Sequence, residues 1–269
     1  MIESMRLEYV SSHQIGSLCT SVTHHEDNIL LGCRKGLKKY DRNTEEMRLL
    51  KSGIVKVAQY NGDIFISHRK SGFVSVMKYS ETATDHLFSF TTHSMLPYFL
   101  SISDPYVAII DHDNEQIKLY NRHTRHVTDI TLPNTSHILN LCITSDGSLL
   151  VTSFKRGHCF MLKKYTVEPE SASGRAAHTQ LWTVKEDDLM YGVAESESGL
   201  IFLCGLENKA IYIYSGEGAY VRFLQHSIFR IGEYRKHQFI FSSELLNFQI
   251  TSFRNITLKN INLKNISCQ

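Results

Sequence analysis

One tryptophan, Trp182, stands in 269 residues, and no two cysteines are spaced Cys-x-x-Cys. The six cysteines, Cys19, Cys33, Cys142, Cys159, Cys204 and Cys268, recur at no fixed interval. That scatter argues against a zinc site or a disulfide framework and predicts reduced thiols held mostly in the core. Charge of one sign is missing too, since 29 Lys and Arg against 27 Asp and Glu leave a net +2. No global basic field marks a DNA-binding protein, and any nucleic acid would need a local patch. No hydrophobic run approaches a membrane span, and Glu3, Arg6 and Glu8 break the opening stretch where a secretory leader needs an apolar core. The expectation is a cytoplasmic chain with no membrane partner. The Asn-x-Ser/Thr triplets at Asn134, Asn255 and Asn265 carry no meaning in that compartment.

What is present is ordinary in amount and periodic in arrangement. Hydrophobic residues make up 42% and charged ones 21%, enough for a sizeable core. Short segments end in an aromatic followed by turn residues: LKKYDRNT at Tyr40, VMKYSETA at Tyr79, IKLYNRHT at Tyr120, LKKYTVEP at Tyr165 and IYIYSGEG at Tyr214. A weaker copy, QITSFRNI, carries Phe253 in the aromatic place. The intervals are about 40 to 50 residues, the range of propeller blades and of helical HEAT-type repeats.

Alternation separates those two. From Ile54 the chain reads IVKVAQY, NGD, IFISH, RKSG, FVSVMKY, SETATDH and LFSF, which is four short strands joined by turns. A helix pair needs long windows with apolar residues three and four apart, and Gly, Asn and Asp interrupt every such window. The order recurs over units at about 17–50, 54–90, 97–132, 137–184, 189–224 and 228–263. The fold class is therefore all-β, a six-bladed β-propeller of four-stranded antiparallel blades filling one domain over 1–269. Each unit buries both faces only between two neighbours, so a closed ring removes the two apolar ends that an open stack would expose. Arg6 to Val10 and Ile256 to Leu263 compete for the strand that closes it.

Among propellers, WD repeats are disfavoured by the single Trp182, which no Asp follows, and kelch repeats by the want of Gly pairs. Unit five, MYGVAESESGLIFLCGLENKAIYIYSGEGAYVRFL, resembles an NHL repeat through Gly192, Gly199, Ile201, Ile211, Ile213, Tyr214, Ser215 and Gly218. Unit four shares the SDG hairpin at Ser145, Asp146 and Gly147. This resemblance, graded over about Leu18 to Leu258, implies the target-binding C-terminal domain of tripartite-motif proteins. The zinc modules and coiled coil that carry ligase chemistry in such proteins have no counterpart here.

Binding in such a fold uses the loops between second and third strands. These read Arg34, Lys35 and Gly36 in unit one, Arg69, Lys70, Ser71 and Gly72 in unit two, and Lys155, Arg156, Gly157 and His158 in unit four. Unit five adds Lys209, whereas unit three opposes the trend with Asp111, Asp113 and Glu115. Clustered Arg and Lys there would meet an acidic protein surface or the phosphates of single-stranded RNA. The plainer account is that exposed hairpin turns accept Lys, Arg and Gly for solubility and turn geometry. The run His24, His25, Glu26, Asp27 is read as a solvated turn rather than a metal site, His112 as a turn histidine, and Glu168 to His178 as a surface loop.

Two functions compete. The first is a non-catalytic module binding protein, or alternatively RNA, on one face, as the recognition part of a ubiquitin-ligase-type protein would. The second is a hydrolase or lyase with a metal in the central channel, which needs carboxylates or histidines converging from inner strands. The inner segments offer Leu18, Val57, Phe99, Leu141, Val193 and Ile231 instead. The first is favoured, with no catalytic residue, metal or cofactor expected.

Overall fold

The computed structural model describes residues 8–14, 19–25, 28–41, 43–70, 72–93, 99–132, 137–154, 160–167, 178–188, 190–196, 198–205, 208, 210–225, 237–241, 248–252 and 257–262. After β1 (Glu8–Gln14), the next twenty strands come in consecutive groups of four. Blade one is β2 (Cys19–His25), β3 (Asn28–Cys33), β4 (Gly36–Asp41) and β5 (Met47–Ser52). Blade two is β6 (Ile54–Tyr60), β7 (Asp63–Lys70), β8 (Phe73–Tyr79) and β9 (Thr84–Thr91). Blade three is β10 (Leu100–Ser103), β11 (Tyr106–Asp111), β12 (Gln116–Asn121) and β13 (Val127–Thr131). Blade four is β14 (His137–Ile143), β15 (Leu149–Phe154), β16 (Phe160–Val167) and β17 (His178–Glu186). Blade five is β18 (Met190–Glu195), β19 (Ile201–Gly205), β20 (Ala210–Tyr214) and β21 (Tyr220–Gln225). All pairings are antiparallel meanders in sequence order.

The expectation of six units alike is corrected to five. Past Gln225 the chain contributes β22 (His237–Phe241), β23 (Phe248–Ser252) and β24 (Thr257–Asn262), and these join β1 in a sheet of order β1–β24–β23–β22. The inner strand expected at Ile228 to Gly232 and the sixth aromatic, Phe253, lie outside the described residues. Both segments proposed to compete for the closing strand are used, pairing with each other from Glu8 opposite Asn262 to Gln14 opposite Thr257. β22 lies against β18 of blade five and β2 of blade one, so this composite sheet stands between the two ends of the series.

Second strands explain the packing. In β11 every residue from Val107 to Ile110 is fully buried, because Val107 and Ile109 point into blade two while Ala108 and Ile110 point into blade four. A strand buried on both faces reads as a continuous apolar run, and NILLGC, YVAIID, LLVTSF and IFLCG each contain one, ILL, VAII, LLV and IFLC. Leu30 and Leu37 meet Val57, Ile64 and Ile66 between blades one and two, and Cys142, Leu150 and Leu162 meet Val193, Ile201 and Leu203 between blades four and five. Inner strands are tied directly as well, since Ser21 Oγ accepts Val57 N–H at 2.8 Å and Ser101 Oγ accepts Ile143 N–H at 2.9 Å.

The recurrent tyrosine has a structural reason. It stands within two residues of the end of the third strand; Tyr40, Tyr120, Tyr165 and Tyr214 are each at most 4% exposed, and the last three pack against the preceding blade. The residue after it organises the turn to the outer strand. Asp41 Oδ1 accepts the amides of Asn43 and Thr44 at 2.8 and 3.1 Å, and Asn121 Oδ1 accepts those of His123 and Thr124 at 2.9 and 3.1 Å. Ser80 and Ser215 use their hydroxyls in the same place. These are side-chain turns of the type Asp, Asn and Ser favour.

Candidate interaction surfaces

The β3–β4 turn is a two-residue connection. The ladder closes at Cys33 opposite Gly36, leaving Arg34 and Lys35 exposed at its tip. Gly36 is required there, because a Cβ would stand 2.1 Å from Lys51 O and the residue has φ +145°. Neither Arg34 nor Lys35 has an ion-pair partner among the described residues.

The corresponding loop of blade two differs from expectation. The β7–β8 ladder continues through Arg69 opposite Val74 to Lys70 opposite Phe73, so both residues belong to a strand and only two residues turn. Arg69 is half-buried on the sheet face it shares with Val74, which packs into blade three. Period-two alternation through the apolar strand decided this, and the Arg-Lys pair hid it. Lys155, Arg156, His158 and Lys209 lie outside the described residues.

On the same face, blade three carries its acids in bonds. Asp111 is fully buried, its Oδ2 accepts Asn114 Nδ2 at 2.9 Å, and Lys118 lies between Asp111 at 3.5 Å and Asp129 at 2.9 Å. Asp113 Oδ2 accepts the His93 amide at 2.5 Å, and His112 is half-buried in the turn. Blade five closes its own network. Tyr212 donates to buried Asp188 at 3.0 Å and accepts from Asn208 Nδ2 at 2.8 Å, while burial pushes the phenol up to about 12. A Cβ on Gly205 would stand 2.0 Å from the Asp188 carboxylate. Among the described residues no group of three His, Cys, Asp or Glu is placed to hold a metal ion. Of the His24 to Asp27 run, His25 is half-buried in β2 and Glu26 and Asp27 lie outside the described residues.

The opposite rim carries two clefts that the loop argument missed. One, of 680 Å³, lies between blades two and three, with Asp85, His86 and Leu87 of β9 on one side and Tyr120, Arg122 and Arg125 on the other. A smaller one, of 290 Å³, lies between blades one and two. There Glu81 binds Arg48 at 2.6 Å and Lys39 at 3.4 Å, and the Arg48 guanidinium holds its carboxyl below the usual range. The clefts share Asp63, Lys78 and Asp85. The signal in the sequence was the charge that follows each anchoring tyrosine, in YDRNTEE, YSETATD and YNRHTRH.

No family model and no curated protein matches the sequence. Solved structures do match. The Cps50 (Swd1) β-propeller domain of Myceliophteria thermophila is 12% identical with a TM-score of 0.58, over 91% of this chain and 84% of that one. The WD40 domain of Toxoplasma gondii coronin is 10% identical with a TM-score of 0.61, over 99% and 88%. Virginiamycin B lyase from Staphylococcus aureus is 8% identical with a TM-score of 0.59, over 97% and 90%. At such identities the likeness is one of fold, and the fold is an all-β propeller of four-stranded antiparallel blades.

Proposed function

We propose that this chain is a non-catalytic interaction propeller that holds a protein partner on the face carrying the β3–β4 turn. The observation behind it is the Arg34–Lys35 pair, two adjacent exposed cations on a turn fixed by Gly36 and left without an ion-pair partner among the described residues. Unspent charge on a rigid turn selects an oppositely charged surface and speeds encounter with it. Lys70, Lys155, Arg156, His158 and Lys209 extend the same patch in this reading. A polyanion such as single-stranded RNA is the weaker candidate, because the net charge is only +2 and the blade-three turn presents Asp113 and Glu115. The NHL-like run in blade five, Gly192 to Gly218, supports a recognition role like that of the C-terminal end of tripartite-motif proteins, in a ubiquitin-ligase-type assembly.

Capture of partners from cell extract, with and without ribonuclease, tests this. Protein partners that survive ribonuclease and are lost from the Arg34→Glu, Lys35→Glu variant are expected. Capture indifferent to both changes would sink the basic-face proposal, and ribonuclease sensitivity would turn it toward RNA. Metal analysis of the purified chain addresses the non-catalytic part, which a stoichiometric ion would overturn.

A further inference from the structure

The cleft between blades two and three contains one positive and one negative side chain that the fold leaves unused. Its other charges are engaged. Lys78 pairs with Asp63 at 2.7 Å, Arg122 pairs with Asp104 while lying over the Tyr60 and Phe65 rings, and His86 Nε2 meets Ser89 Oγ at 2.6 Å. Arg125 and Asp85 have no side-chain partner among the described residues, although both line this 680 Å³ space.

Arg125 is also presented on a fixed backbone. Its amide donates to Asn121 O at 2.8 Å, Asn121 N–H donates to His126 O at 2.9 Å, and the residue has φ 59°. That left-handed conformation is cheapest for Gly or Asn, so the turn itself gives no reason for arginine. The same position in blade one holds Glu45 at φ 57°, which shows that the turn does not demand a cation either. Phe65 and Tyr120, 1% and 4% exposed, lie beneath the cleft, and Asp85 and Arg125 stand exposed above them.

We propose that this cleft docks a partner peptide segment carrying a carboxylate and a basic side chain close together, the carboxylate on Arg125 and the basic group on Asp85. The proposal deepens the protein-interaction reading and rests on it. Opposite free charges in one cleft fit a mixed-charge segment, whereas a phosphate chain would face Asp63 and Asp85. The volume is that of an ordinary ligand site, about 300–1,000 Å³.

A displayed library of random short peptides, selected on the immobilised full chain, tests it. Enriched sequences should place Asp or Glu beside Lys or Arg. Their binding should fall about tenfold in Arg125→Gly, a change the left-handed turn accepts, and in Asp85→Ala. Exchanging the charges, Asp85→Lys with Arg125→Glu, should restore binding to peptides of reversed order. No enrichment, enrichment of one sign of charge only, or binding indifferent to Arg125→Gly would overturn the cleft proposal. The Arg34→Glu, Lys35→Glu variant separates the two readings. If it loses captured partners while the cleft selects nothing, the cleft falls and the interaction propeller stands. If the cleft behaves as described while capture ignores Arg34 and Lys35, the basic face falls instead.

Discussion

Trp182 of blade four stands on Gly218 of blade five, so closely that a Cβ on the glycine would be 2.7 Å from indole Cδ2. The indole N–H donates to Gly216 O at 3.2 Å, so one side chain clamps the seam by packing and by a hydrogen bond. Gly218 has φ +83°, which L side chains rarely adopt. Gly218→Ala should cost about 1–3 kcal/mol in urea unfolding, from backbone strain and displacement of the ring. In a Trp182→Ala background the same change should cost less, because the clash is gone. Trp182 being the sole tryptophan, its emission should shift red in Gly218→Ala before any unfolding.

Tyr165 is fully buried, and its hydroxyl has no hydrogen-bond partner among the described residues. A buried unmade hydrogen bond is a liability, so Tyr165→Phe should stabilise the fold by about 1 kcal/mol in urea unfolding. Burial pushes the phenol up to about 12. A raised value means the neutral form is favoured in the folded state, with that contribution intact below about 10, the ordinary tyrosine value, and lost as pH climbs toward 12. The wild type should therefore lose more stability than the Phe variant across that alkaline window.

The architecture was legible where one periodicity ruled. Strands buried on both faces gave largely apolar runs, and the tyrosine before Asp41, Asn121 and Ser215, buried in each case, and half-buried Tyr79 before Ser80 marked the approach to the side-chain turn. The count failed at the chain end, where both candidate closing segments were marked in the sequence but nothing local says that β1 and β24 pair with each other. Arg69 failed differently. Its charge suggested a loop, but the ladder runs through it opposite Val74. The cleft was not legible, since Asp85 and Arg125 lie in separate blades and only the ring brings them together.

Asp146 sits in the hairpin from Thr144 to Ser148 and binds Lys164 Nζ at 2.9 Å. Partial burial raises its carboxyl, but hydrogen bonds from the Thr144 hydroxyl, Lys164 and Ser148 outweigh burial and hold it below the ordinary range. A depressed value gives a contribution present above about 3.9 and lost as pH falls through the folded value. Asp146→Asn should be less stable than wild type at neutral pH, where it leaves buried Lys164 without its counter-ion. The gap should narrow below about pH 4, read as urea midpoints at the two pH values.

Cys33, Cys142 and Cys204 are buried free thiols. Burial pushes Cys142 up to about 12 and raises Cys204 strongly, with Asp188 adding to the second. Thiolate is the reactive form, so these residues should resist iodoacetamide in the native protein and react once it is unfolded. Peptide mapping by mass spectrometry checks this, and native labelling at Cys142 or Cys204 would contradict the packing of blades four and five.

Asn121 connects a turn to the cleft. Its carboxamide oxygen takes the His123 and Thr124 amides, and the loop so fixed carries Arg125. Asp41 makes the same two bonds in blade one, so Asn121→Asp should keep the turn and leave stability nearly unchanged. Asn121→Ala removes the acceptor and should cost about 1 kcal/mol in urea unfolding. It should also weaken peptide binding at the cleft, because a guanidinium on a loosened loop pays more entropy to be held. Binding that falls in Asn121→Ala, holds in Asn121→Asp and falls about tenfold in Arg125→Gly would assign the turn a positioning role. Equal binding in the two Asn121 variants, with the fall in Arg125→Gly kept, would leave it a role in stability alone.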